Sequence, residues 1–323
     1  MTNGLGLAVI PGAGWTASDI RTISREAEDA GFDSIFTTEV NNDALATAQL
    51  MGSATRHIRV GTWTANIYLR HPYVCAQGAA LIAEATNGRF MLGLGVSHQP
   101  VNAALAIDMA KPSDDIRTYV DSVRNWLRGE GPPTHLPQQP ARISVPIYVA
   151  ALTSRTVEQA AERADGIMPI FWSPDRVKSS RSWCNRGRAR AGQREPLIVT
   201  LGIPTFVGND VEQQREIARQ SLGLYTFFPF FQRLFRASGF AHEADQMERR
   251  AGPSALSDAL LDSICLLGSI EHCRERLAEY RQAGVDLPIL MAPIGVDGAR
   301  AVIDAFSIET DVRPGRTLAG TTS

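Results

Sequence analysis

Several short loops in this chain carry the residue types that chemistry needs, and each follows a run of apolar residues. Glu39 with Asn41 and Asn42 follows one run, and Trp63, Thr64 and Asn66, trailed by Tyr68, Arg70 and His71, follow the next. Gly95, Val96, Ser97 and His98 come after a third, Ala151, Leu152, Thr153 and Ser154 after a fourth, and Trp172 with Ser173 after a fifth. An imidazole such as His98 ordinarily titrates close to working pH and suits proton transfer, although a loop histidine also serves as a plain polar contact. In ALTSRTVEQAAE (151–162) a strand-like run meets a helix amino end, where free amides and the helix dipole favour an anion; by spacing alone, Ser154 there reads first as an ordinary N-cap. In GLGVSHQP (93–100) small residues let the backbone come close to a ligand, which is a weak signal by itself.

What these loops lack is equally informative. No H-x-H, H-E-x-x-H or carboxylate cluster has metal-site spacing, so no metal is expected. The Walker A pattern and the G-x-S-x-G elbow are absent, which removes the commonest phosphoryl- and acyl-transfer readings. A rim of small residues, amides, hydroxyls and aromatics suits a large flat organic cofactor that brings its own reactivity, with the protein supplying orientation and a dry pocket.

The elements that must position these loops recur in one pattern: a helical segment, a Gly or Asn-Gly stop, then a short β-branched and apolar run. It occurs at 27–38, 82–95, 160–171 and 277–292. Glycine provides the left-handed conformation that ends a helix, and a near-continuous apolar run is what a strand buried on both faces requires. About eight such strands are expected: 5–10, 34–38, 58–64, 90–94, 147–150, 167–170, 197–206 and 287–292. Eight strands alternating with helices give the (β/α)₈ barrel, whose active site lies at the strand carboxyl ends. A doubly wound sheet uses the same units, but Gly12-Ala13-Gly14-Trp15 after the first strand does not complete G-x-G-x-x-G.

Ser18, Ser113, Ser173 and Ser269 are read as helix N-caps, with the first helix ending at Gly31 and the third residue group, 116–127, presenting one apolar face before Gly129. Residues 128–146 form a Pro-rich connector. A helical insertion over 209–257 interrupts a single barrel domain spanning 1–323, and its segment LYTFFPFFQRLF (224–235) is too aromatic to face water, so it should cover one barrel end or meet a partner copy.

The 323 residues can build one large domain or two ordinary ones, and 44% hydrophobic with 20% charged residues excludes disorder of the whole. Thirty-two basic against 34 acidic side chains give a net charge of −2, which offers no field for nucleic acid or an anionic membrane and favours a small-molecule substrate. Lys111 and Lys178 are the only lysines, a bias that a GC-rich genome accounts for. Cys75, Cys184, Cys265 and Cys273 form no C-x-x-C, so neither a disulfide framework nor zinc is indicated. Without a basic n-region, and with apolar runs too short for a signal peptide or membrane span, the protein is expected to be soluble and cytoplasmic.

The block 58–105, with its RHP and NGRFMLGLG motifs and AEDAGFDSIFTTE before it, resembles the luciferase-like monooxygenase superfamily. The likeness is greatest to the branch using the deazaflavin coenzyme F420, which includes methylenetetrahydromethanopterin reductases, and it covers most of the chain outside 209–257. The resemblance implies a (β/α)₈ barrel holding a flavin or deazaflavin at the strand carboxyl ends. It implies a non-prolyl cis peptide at Trp63-Thr64 backing the cofactor ring, ring or ribityl contacts by Glu39 and Asn66, and phosphate binding by Gly95-Val96-Ser97 and Ala151-Leu152-Thr153-Ser154. It thus moves Ser154 from N-cap towards phosphate. Relatives are commonly homodimers.

Departures from the family pattern bear on the reaction. Val40 stands where the group's sugar-phosphate dehydrogenases have a histidine base, His98 where their acid follows the fourth strand, and Ala8 where the methylene-pterin reductases carry a glutamate. The expected function is therefore hydride exchange between F420 and a small or medium apolar substrate, with His98 and Glu39 as the candidate catalytic pair. An FMN-dependent monooxygenase of the same fold, and a non-catalytic flavin-binding paralogue suggested by Val40 and Ala8, stay open.

Overall fold

The apolar runs pair side by side as parallel strands in a computed structural model of the chain, which describes residues 4–132 and 136–307. The strands are β1 (Gly6–Val9), β2 (Ser34–Thr37), β3 (Arg59–Thr62), β4 (Ala65–Asn66), β5 (Phe90–Gly95), β6 (Ile147–Val149), β7 (Gly166–Ile167), β8 (Ile198–Val207), β9 (Leu266–Gly268) and β10 (Leu287–Met291). β1 pairs with β2 and β10, and the ladder continues through β3, β5, β6, β7 and β8 back to β10. The result is a closed parallel barrel of eight strand positions, the TIM barrel, in which β4 prolongs β3 and pairs with β5. The Trp63–Thr64 peptide between β3 and β4 is cis.

Helices separate the strands, and several of them are started by side-chain caps. Thr16 forms a reciprocal capping box with Asp19 ahead of Ala17–Asp29, so the cap lies two residues before Ser18, which sits inside the first turn. Lys111, not Ser113, precedes Pro112–Leu127, because Pro112 occupies the first helical position, where its fixed φ and missing N–H are harmless. Ser173 and Ser269 do cap their helices, and Gly284, at a φ of 109°, ends Ile270–Ala283 in the left-handed conformation. The connector 128–146 forms no regular element among its described residues; 133–135 lie outside them.

Two apolar layers hold the barrel. An outer one packs the strands against the helices. An inner one is formed by Ala8, Phe36, Trp63, Met91, Tyr148, Met168, Leu287 and Ile289, each fully buried large side chain contributing about 1.5–3 kcal/mol. The inner layer is fitted by shape: a Cβ added to Gly202 of β8 would lie 1.9 Å from the Trp63 ring, so only glycine there admits the indole.

The long stretch after β8 holds the helices Val211–Leu222, Pro229–Arg236, Ala241–Glu248 and Asp258–Ile264, and then a strand that the sequence reading missed. This is β9, which pairs with the far end of β8 over Thr205–Val207 while the near end, Thr200–Pro204, pairs with β10. LLG is short and lies against a helix, so it shows no period of its own. The aromatic segment lies over the strand carboxyl ends, and Phe231, Leu234 and Phe235 are buried there. Arg176 ties this region to the barrel: it donates to the Leu152 carbonyl at 3.0 Å and to Ser238 at 3.4 Å, and its guanidinium lies 5.8 and 5.5 Å from the ring centroids of Trp172 and Trp183.

Candidate active site

A cavity of about 710 Å³ opens where the strands of the barrel end. Its floor is made by Ala8, Trp63, Thr64, Gly95 and Met168, and its other side by Tyr225, Phe228, Phe230 and Phe231 from the segment after β8. The size and the mixture of apolar walls with a few polar groups are those of a site for a sizeable organic molecule.

At the floor one group of polar side chains is committed to itself and to backbone. The Glu39 and Arg70 side chains are 3% and 10% exposed and form an ion pair, with Asp43 3.6 Å from the same guanidinium. Glu39 also accepts from the Ala44 amide at 3.0 Å and the Asn66 amide at 2.6 Å, so both oxygens are engaged. Its carboxylate and that of Asp43 hold the Arg70 guanidinium charged against the desolvation that opposes it. Asn66 then donates to Asn102 at 2.8 Å, and Asn102 donates to the Val96 carbonyl at 2.9 Å. One chain of hydrogen bonds thus links the loops after β2, β4 and β5. Glu39 borders the cavity, but its geometry is that of a residue fixing backbone.

Ser97 follows at a left-handed φ of 58°, and neither its hydroxyl nor its amide has a hydrogen-bond partner among the described residues. Gly95 is held to hydrogen by space, since a Cβ there would meet Thr64 Oγ1 at 2.2 Å. Thr38 Oγ1 and Trp63 Nε1, on residues bordering the cavity, are buried without a protein partner.

The loop after β6 divides differently from its reading in the sequence. Ala151 and Leu152 line the cavity, but Thr153 and Ser154 do not. Thr153, not Ser154, is the N-cap of Ser154–Ala161, and it shares a capping box with Thr156, whose hydroxyl also accepts from the amides of Leu152 and Thr153 at 3.2 and 3.0 Å. Ser154 is exposed. The helix instead turns Thr156 and Gln159 to the cavity, which Arg163 just beyond its end and Ser113 and Arg117 of Pro112–Leu127 also line. The i, i+3, i+7 spacing of Thr156, Gln159 and Arg163 was the available signal.

His98 stands apart from the floor. Its ring stacks on Phe228 with centroids 4.6 Å apart and planes at 24°, and it meets Phe231 at 5.4 Å and Tyr225 at 6.2 Å. This desolvation pushes its pKa down to about 4, so the imidazole is neutral at working pH and does not titrate there as expected from its type. Val40, beside the cavity, is 48% exposed and brings no ionisable group. Among the described residues no cluster of three or more His, Cys, Asp or Glu could hold a metal, and no helix is long and apolar enough to cross a membrane. Sequence reasoning did not single out Asn102, Tyr225 or Phe228; all three act through space, and no motif marks them.

The family model described as luciferase-like monooxygenase matches residues 6–287. A putative coenzyme F420-dependent oxidoreductase of Mycobacterium tuberculosis is 30% identical, the match covering 82% of this chain and 88% of that protein. Among solved structures, the coenzyme F420-dependent tetrahydromethanopterin reductase of Methanopyrus kandleri superposes with a TM-score of 0.77 at 17% identity, over 94% of this chain and 98% of that one. The oxygenating constituent of 3,6-diketocamphane monooxygenase from Pseudomonas putida, a type II Baeyer-Villiger monooxygenase in complex with FMN, does so with a TM-score of 0.67 at 15% identity, over 94% and 96%. The same barrel therefore serves both deazaflavin and flavin proteins, and this chain belongs to the luciferase-like monooxygenase family.

Proposed function

We propose that the protein is an F420-dependent oxidoreductase that exchanges a hydride with a small or medium apolar organic substrate. The observation carrying this reading is the cavity itself: one side is a fixed polar and small-residue floor, the other an aromatic wall, with room of about 710 Å³ between. The residues fit such a group. The amide and hydroxyl of Ser97 have no hydrogen-bond partner among the described residues, and two buried polar atoms, Thr38 Oγ1 and Trp63 Nε1, await a partner. The 30% relative's name supports the choice of F420.

When bound, F420 supplies a ring carbon that gives or takes a hydride. Trp63, Thr64 and Gly95 would back the ring. Ser97 would meet the phosphate, with Ala151, Leu152 and Thr156 lining the cavity beside it and Thr153 and Ser154 shaping the helix start. Glu39 acts through Asn66 and Asn102 to hold Val96 in place, a positioning role. His98, neutral and facing the aromatic wall, donates or accepts a hydrogen bond at the substrate. The aromatic wall excludes water, which hydride transfer requires.

A titration of the purified protein with F420 and with FMN, followed by the absorbance and fluorescence of each, tests the reading. Saturable F420 binding supports it; tight FMN binding with none for F420 overturns it and favours an FMN-dependent monooxygenase, a reading supported at the level of fold by the FMN-containing neighbour.

A further inference from the structure

Two polar side-chain heads meet at the aromatic side of the cavity and are left unused by its packing, Tyr225 from the segment after β8 and His98 from the loop after β5. Tyr225 stands edge-on to Phe171 at 5.0 Å and to Phe231 at 5.2 Å, and its ring lies 6.2 Å from His98 at 81°. The rings satisfy one another by edge-to-face packing. Neither the phenol hydroxyl nor the imidazole nitrogens have a hydrogen-bond partner among the described residues, yet both side chains line the cavity. Around them stand Phe228, Phe230, Phe231 and Ile170, which offer no polar atom, and Arg233, whose guanidinium lies 5.9 Å from the Phe230 ring centroid. A hydroxyl and an imidazole set among aromatic rings are costly to leave unmet once a ligand displaces water, and a site built this way discriminates against a ligand without the matching polar atom.

We infer that Tyr225 and His98 form the substrate-oxygen subsite of this cavity, which takes a compact aromatic or similarly flat apolar molecule bearing a single carbonyl or hydroxyl oxygen. Tyr225 is a specificity-determining residue: its hydroxyl donates to the ligand oxygen while Phe228 and Phe231 hold the apolar body. Burial raises the phenol pKa, so the proton needed for that donation is retained. The neutral imidazole of His98 meets the same oxygen as donor, or as acceptor when the ligand is an alcohol. The inference rests on the cavity being the substrate site proposed above, but not on which cofactor shares it.

The test is a calorimetric titration of the full chain, as purified and again saturated with whichever of F420 and FMN it binds, using acetophenone and its oxygen-free isostere α-methylstyrene. Wild type is expected to bind acetophenone about tenfold more tightly, the size of one to two net hydrogen bonds. Tyr225→Phe and His98→Phe should each lower that preference about threefold or more, the double variant should abolish it, and cofactor affinity should stay within about twofold. Equal binding of the two probes by wild type, binding of neither, or a preference that survives in the double variant would each overturn the subsite. Retained thermal midpoints exclude misfolding as the cause. If F420 fails to bind while the probe preference and its loss in Tyr225→Phe persist, the subsite stands and the F420 reading fails.

Discussion

The two sides of the cavity are built on opposite terms. On the barrel side, Glu39, Arg70, Asn66 and Asn102 spend every strong hydrogen-bonding group on one another or on backbone, so the loops after β2, β4 and β5 are fixed before anything binds. On the aromatic side, Tyr225 and His98 spend none, and their surroundings gain from ring packing alone. The Glu39 network can only position; the wall, like Ser97, Thr38 and Trp63 beside that network, keeps polar atoms that can still recognise. The difference separates a part of the cavity that is fixed by its own hydrogen bonds from one that is held by ring packing.

The largest effect that would break this contrast is expected from Glu39→Ala. It strands a nearly buried guanidinium and the Asn66 amide, a loss of about 3–5 kcal/mol measured by denaturant unfolding, with cofactor binding weakened as well. Unchanged stability would show the floor to be dispensable. Asn102→Ala removes the last link to Val96 and should cost about 1–3 kcal/mol while raising the cofactor dissociation constant. Gly202→Ala should have an effect of about 1–3 kcal/mol by driving a methyl into the Trp63 ring, and tryptophan fluorescence should report the displaced indole.

The wall is expected to answer mainly to pH. His98 is held neutral in the folded protein with its pKa near 4, whereas in the unfolded chain it titrates near 6.5, so the unfolded state binds more protons between these values. Its contribution is intact above pH 6.5 and falls as pH drops towards 4. The thermal midpoint of wild type should therefore fall further between pH 7 and pH 5 than that of His98→Phe; equal slopes would show that the ring is not desolvated. Phe228→Leu, which opens one face of the imidazole, should move the His98 titration seen by NMR upwards, the smallest change of the set.

Sequence made the floor legible because a parallel barrel gathers its site at strand ends, and strand ends can be read from apolar runs. Trp63, Thr64, Gly95, Val96, Ser97, Ala151 and Leu152 were found in that way, and all line the cavity. Thr153 and Ser154 were displaced because capping chemistry claimed the first hydroxyl and turned the helix by its own pitch. The partnership of Glu39 with Arg70, 31 residues apart, depends on tertiary geometry that no local spacing encodes. The aromatic run 224–235 announced that it must be covered, but short helices joined by a 3₁₀ turn keep no period long enough to tell which ring would border the cavity.

The double pairing of β8 has a further consequence. Gly208 donates to the Gly268 carbonyl at 2.9 Å, so the chain leaves the barrel and returns to it on adjacent strands, and the whole excursion is closed at its base by a backbone ladder. A segment attached in this way can be exchanged as a cassette. Replacing what lies between Gly208 and Cys265 would change the aromatic side of the cavity while leaving the Glu39, Asn66 and Asn102 network of the barrel in the chain.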